Sequence, residues 1–193
     1  MSQKVCYLDL ETTGLNAWKN GIHQIAMIIE IDGEVKAEHD FRVRPFPNDI
    51  IEPDALKISK LTRAQIMDYP VPKAFLENEI IPVLGLYVDK FDKTDKFTLA
   101  GYNIVAFDIP FLRNWFRKCD DIYFGSWFNN QPVDAMQQVF WCKFMGAIMV
   151  LENYKLTTVC KEFGVELKDA HDGLADIRAT RELIQELKDL DFS

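Results

Sequence analysis

The sequence predicts one α/β domain, residues 1–193, built on a mixed sheet covered by helices. Three observations carry this reading: residues 5–43 look like three strands, the second and third joined by a tight turn, strand and helix patterns alternate from about residue 97, and 193 residues that are 48% apolar and 27% charged suit a single core.

Residues 5–10 form the first strand, which is short, mostly apolar and stopped by the turn pair Thr13-Gly14. Residues 24–31 and 35–43 are the next two, joined at the hairpin signal Asp32-Gly33, so the chain opens as an antiparallel three-strand meander. A proline-rich loop at 44–53 leads into short helices at 54–58 and from Thr62, then an amphipathic helix over about 72–88 that Pro82 should kink or divide. Residues 89–96 are a charged loop, too short for a domain linker and the expected place for insertion or disorder. A strand at 97–100 precedes a helix over about 106–118. After a loop at 125–132 and an extended piece at 132–134, helices follow at about 135–147, 156–163 and 174–190, with no internal repeat.

Composition narrows the functional classes. The 30 acidic residues outnumber 22 Lys and Arg, a formal charge of −8 that argues against broad affinity for phosphate backbones. It does not argue against a nucleic-acid enzyme whose positive charge is a bound metal. Cys6, Cys119, Cys142 and Cys160 are scattered without zinc-type spacing and read as buried free thiols. No apolar run spans a bilayer and the first ten residues lack signal-peptide features, so an intracellular, cytoplasmic location with no membrane partner is expected.

The chemistry starts at the end of the first strand. Side chains alternate across a strand, so Asp9 and Glu11 share one face, roughly 6 to 7 Å apart, while Leu8 and Leu10 take the other. Two like charges about 4 Å apart repel by roughly 4 kcal/mol at an effective dielectric near 20, a cost that a divalent cation removes. The same spacing recurs at Glu30/Asp32, Glu38/Asp40 and elsewhere, so a pair facing water is the competing reading.

Two helices add acids on inward stripes. Asp108 aligns with Leu112, Trp115 and Cys119, with Arg113, Asn114, Arg117 and Lys118 placed outward; Asp176 aligns with Leu183 and Leu187. Either alone could simply settle on its helix N-terminus. Together with Asp9 and Glu11 they form four convergent carboxylates with no Lys or Arg on either stripe, which implies divalent cations. His171 falls in the loop before the last helix, which Asp172 caps, and beside a metal-bound water it is the natural general base.

Three segments, Asp9-Leu10-Glu11-Thr12-Thr13-Gly14-Leu15, residues 101–112 from Gly101-Tyr102-Asn103 through Asp108, and residues 170–180 from Ala170-His171-Asp172 through Asp176, resemble the exonuclease motifs of the DEDDh, or DnaQ-like, 3′-to-5′ exonucleases. The resemblance covers nearly the whole chain. It implies a ribonuclease-H-like fold and two-metal hydrolysis, with Mg²⁺ or Mn²⁺, that releases nucleoside monophosphates from the 3′ ends of single-stranded or frayed DNA or RNA. By position, Asp9, Glu11 and Asp176 hold one metal, Asp9 and Asp108 serve the second, and His171 takes the proton from the attacking water. Backbone groups at Thr12 and Thr13 meet the terminal nucleotide, Leu15 and Phe107 flank its base, and Asn103 braces the second motif.

One departure stands out. Many relatives carry His-Gly where this chain has Ser59-Lys60, so Lys57, Lys60 and Arg63 are alternative phosphate contacts. Most of the Phe, Tyr and Trp residues must be core, with Trp127 and Phe128 the better candidates for stacking on a single strand, and Asp134 reads as an N-cap. The alternatives are a catalytically inactive nucleic-acid-binding or polymerase-associated module, with a DNA polymerase as partner, and a carboxylate cluster that binds metal for structure alone.

Overall fold

In the computed structural model, which describes residues 2–148, 150–168 and 172–190, the first strand lies at the middle of a five-stranded sheet. Strands β1 (Lys4–Thr12), β2 (Ile22–Ile31) and β3 (Glu34–Arg42) form the antiparallel meander. Strands β4 (Thr98–Gly101) and β5 (Val133–Asp134) add in parallel on the other side, giving the order β3-β2-β1-β4-β5. The β2–β3 turn is made by Asp32 and Gly33 at φ 51° and 84°, left-handed values that match the twist of a two-residue hairpin.

Helices α1 (Pro53–Ser59) and α2 (Arg63–Met67) follow the meander. Thr62 and Gln65 form a reciprocal capping box that starts α2. Helix α3 (Pro72–Phe75) widens into a π turn over Leu76–Ile80 before α4 (Ile81–Gly85), so the segment is divided next to Pro82, where the ring excludes a regular α register. The charged loop is held by Asp95, which pairs with Lys4 and accepts from the Asp89 amide.

Helix α5 (Asp108–Lys118) follows β4, and a single turn, α6 (Phe124–Trp127), occupies part of the stretch expected to be loop. Helices α7 (Ala135–Phe144), α8 (Leu156–Glu162) and α9 (Gly173–Lys188) complete the chain. The sheet separates two cores. Leu8, Leu10, Ile25 and Met27 pack towards α4, α5 and α6, while Val5, Tyr7, Ala26 and Ile28 pack towards α7, α8 and α9. All four cysteines are buried and free.

Three side chains depart from their expected places. Trp127 and Phe128, at 3% exposure each, belong to the first core, where Phe128 packs against Phe116 and Phe124, and so neither offers a face for stacking. Asn114, expected outside, is buried because its amide donates to the Ala17 carbonyl across 2.5 Å.

Candidate active site

The site is built where β1 outruns its neighbour. Pairing with β4 ends at Tyr7 and Ala100, so the Leu10 amide beyond it has no strand partner on that side. Asp108, in the first turn of α5 and 3% exposed, accepts that N–H at 3.0 Å. A tertiary hydrogen bond therefore ties the second acidic motif to the first, as a buried donor requires.

The second motif is itself held from behind. Asn103 takes a left-handed turn (φ 58°), and its carbonyl accepts from the amides of Ala106 and Phe107. Asp134 caps α7 through the Met136 and Gln137 amides and also accepts from those of Asn103 and Val105. One carboxylate thus fixes both the start of α7 and the turn that delivers Asp108.

On the opposite sheet face, α9 brings Asp176 in behind the N-cap Asp172, whose side chain accepts from the Leu174 and Ala175 amides. Gly173 is needed for the approach: a Cβ there would lie 3.1 Å from Gln24 Nε2 and 3.4 Å from Asp9 Oδ2. His171 lies outside the described residues.

The electrostatics report the convergence. Burial first, then Asp108, Glu11 and Asp176, push the Asp9 carboxyl well above its usual range. Glu11 is raised to about 7 by burial and then Asp176, against the opposing pull of Arg42. Asp108 is raised to about 8 by burial, although the Leu10 amide favours its charged form. Among the described residues none of these three forms an ion pair. The donor set, all hard carboxylate oxygens with excess negative charge, suits Mg²⁺ or Mn²⁺. Among the described residues, no group of three or more His, Cys, Asp or Glu side chains is arranged to hold an ion.

Beside Glu11 lies a cavity of about 310 Å³ lined by Glu11, Thr12, Leu15, Ala55, Ile58 and Phe107, among others. Its apolar walls bring together a residue of the first motif, one of the second and the outer side of α1. Leu15 is 83% exposed, so it is a lip of this cavity and not core, and Phe107 is half-buried on the facing wall. Thr13 lies elsewhere: it is fully buried, its amide donates to Gly21 and its carbonyl accepts from Glu52, so it has no free backbone group for a nucleotide. Its part is to shape the turn with Gly14, where a Cβ would meet the Asn20 amide at 2.4 Å.

Sequence patterns did not single out Ala55 and Ile58 as cavity walls or Arg42 as a cation acting on Glu11. Each sits on an element that reads as an ordinary exposed face until the tertiary fold places it. Lys57 is paired with Asp54 in solvent, and Lys60 is exposed at the end of α1.

The RNase_T exonuclease family model matches residues 6–184. The chain belongs to this exonuclease family. Among curated relatives, the DNA polymerase III PolC-type of Halalkalibacterium halodurans is 28% identical over 181 residues, a match that covers 91% of this chain and 11% of the polymerase. Among solved structures, the zinc-bound E. coli exonuclease I–single-stranded DNA complex superposes with a TM-score of 0.81 at 23% identity, covering 97% of this chain and 41% of that one. An exonuclease I complex with SSB-Ct gives 0.80 at 20% identity, covering 99% and 42%. The chain therefore has the ribonuclease-H-like fold, and it spans less than half the length of these relatives.

Proposed function

We propose that this chain is a DEDDh-type 3′-to-5′ exonuclease that shortens single-stranded or frayed ends, DNA foremost, and releases nucleoside monophosphates. The observation that carries the reading is the set of Asp9, Glu11 and Asp108, whose proton affinities are raised by burial and by neighbouring acids that include Asp176, with Glu11 lining an apolar, nucleobase-sized cavity. DNA is put first because PolC-type polymerases and exonuclease I with single-stranded DNA are among its relatives.

Asp9, Glu11 and Asp176 would hold one divalent cation and Asp9 and Asp108 the second. Bound there, the ions would supply charge stabilisation at the scissile phosphate and at the departing 3′ oxygen. His171 would accept the proton of the attacking water. Leu15 and Phe107 would flank the terminal base, with Thr12 beside it, and Asn103 would keep the α5 entry turn in place. Holding Asp108 by the Leu10 amide orients it before substrate arrives.

A second reading, a strand-binding or polymerase-associated module without catalysis, draws on the PolC-type DNA polymerases among its relatives, of which the match covers 11%. Degradation of matched 5′-labelled single-stranded DNA and RNA with Mg²⁺ or Mn²⁺, beside an Asp9→Ala control, decides between them. Stepwise loss from the 3′ end that disappears in the control is expected. No shortening of either strand by the folded, metal-supplied protein would remove the exonuclease reading in favour of the binding module.

A further inference from the structure

A second groove adjoins the candidate active site, with a volume of about 420 Å³ and walls that include Trp18, Pro110, Arg113, Arg117 and Ile122. It shares both its flanking segments with the nucleobase-sized cavity. Leu15 lines the one and Trp18 the other, three residues on in the same turn, while Phe107 and Pro110 do the same at the start of α5. The two concavities are thus built on the same two chain segments.

The groove is built rather than incidental. The turn over residues 16–20 is closed by the Trp18 amide on the Asn16 side chain, by the Lys19 and Asn20 amides on the Asn16 carbonyl, and by the Asn16 amide on the Asn20 side chain. The buried Asn114 amide then fastens this turn to α5 through the Ala17 carbonyl. Despite that anchoring, Trp18 is left 69% exposed, a rigidly mounted aromatic face in contact with solvent. Arg113 and Arg117, one turn apart on α5, are also exposed, and neither forms an ion pair among the described residues, in a chain with 30 acids to 22 Lys and Arg. Arg113 lies over Phe124 at 4.8 Å, and Asp121, an acid on the groove wall, accepts from the Tyr123 amide through one oxygen and forms no ion pair with either arginine. Two guanidinium groups without an ion pair among the described residues, beside an exposed indole, match a polyanion that carries planar bases.

We propose that this groove is the upstream subsite for a single-stranded polynucleotide, where Trp18 stacks on a base behind the 3′-terminal nucleotide and Arg113 and Arg117 contact the phosphates. The proposal rests on the exonuclease reading, which places the 3′ end in the neighbouring cavity. It assigns affinity for length to the groove and chemistry to the carboxylates.

The test measures binding of a labelled long single strand by anisotropy in EDTA across a salt series, together with hydrolysis kinetics on that strand and on a dinucleotide in Mg²⁺. Trp18→Ala should weaken long-strand binding roughly tenfold, with Trp18→Phe restoring most of it. Arg117→Ala should make the plot of log affinity against log salt shallower by about 0.7, the share of one single-strand phosphate contact. KM for the long strand should rise in these variants towards that for the dinucleotide. Wild-type hydrolysis with unchanged strand affinity and salt dependence in both variants would overturn the subsite and leave the exonuclease reading intact, pointing to a protein partner for the groove. Groove-dependent strand binding without hydrolysis by the wild type would do the reverse.

Discussion

A divalent cation should raise the thermal stability of this protein more at pH 8 than at pH 5. In the metal-free protein, burial and neighbouring acids lift Glu11 from 4.5 to about 7 and burial lifts Asp108 from 3.8 to about 8. A carboxyl raised on folding keeps its proton where the unfolded chain has already released one, so its contribution to stability falls as pH rises from about 4 to about 8. For Glu11 alone the displacement corresponds to roughly 3 kcal/mol, lost by the time the pH has passed 7. An ion at about a hundred times its Kd returns about 2.7 kcal/mol, which for a chain of this size is about 5 to 10 °C in Tm. At pH 5 the same groups are largely protonated and the ion must first displace protons, so the gain should be small. His23, pushed down to about 4 by burial, has the opposite trend up to its ordinary value near 6.5. For that reason the quantity to compare is the difference in Tm between Mg²⁺ and EDTA at each pH, in which His23 cancels. Unfolding followed by circular dichroism gives it directly. Equal Tm with Mg²⁺ and EDTA at pH 8, or an equal gain at both pH values, would refute a convergent ionised cluster.

Asp9→Asn should abolish hydrolysis yet raise the metal-free Tm at pH 8, because it removes one charge from a buried acidic group; scanning calorimetry in EDTA would show a fall if Asp9 is instead a structural anchor. Trp127→Ala should cost about 3 to 5 kcal/mol in urea unfolding, the usual loss for a buried aromatic, with single-strand affinity of the folded fraction unchanged. Lys60 closes α1 in a left-handed conformation (φ 57°, ψ 25°) that strains any residue with a Cβ. Lys60→Gly should therefore stabilise by about 1 kcal/mol, and an unchanged or lower urea midpoint would contradict the argument. Asp134→Ala should lose more than the 0.5 to 2 kcal/mol of a simple N-cap, since the Asn103 and Val105 amides lose their acceptor too; a loss within that range would show that the entry turn of α5 stands without it.

The meander, the hairpin at Asp32-Gly33, the break near Pro82, the helix start at Thr62 and the caps at Asp134 and Asp172 were legible because each depends on neighbours a few residues away. The inward acids were legible for a related reason: helical periodicity places Asp108 on the stripe of its own helix that must be covered. Aromatic content gave no comparable guide. Trp127 and Phe128, the better candidates for stacking by sequence, are core, while Trp18, which the local pattern left unremarked, carries the exposed face.

The sequence by itself determined that Asp9 and Glu11 share a face of a strand, that Asp108 and Asp176 open two helices on their buried sides, and that the motifs are those of an exonuclease family. Only the tertiary structure decided that Asp108 reaches the Leu10 amide 98 residues away, that Asn114 turns inward to hold the Trp18 turn, and that Leu15 and Phe107 face each other across one cavity. The division has a physical cause. Backbone periodicity and turn chemistry act over a few residues and fix where a side chain points relative to its own element. What covers that side chain, and which charges meet there, depends on segments that are distant in the chain and adjacent only after the sheet has closed.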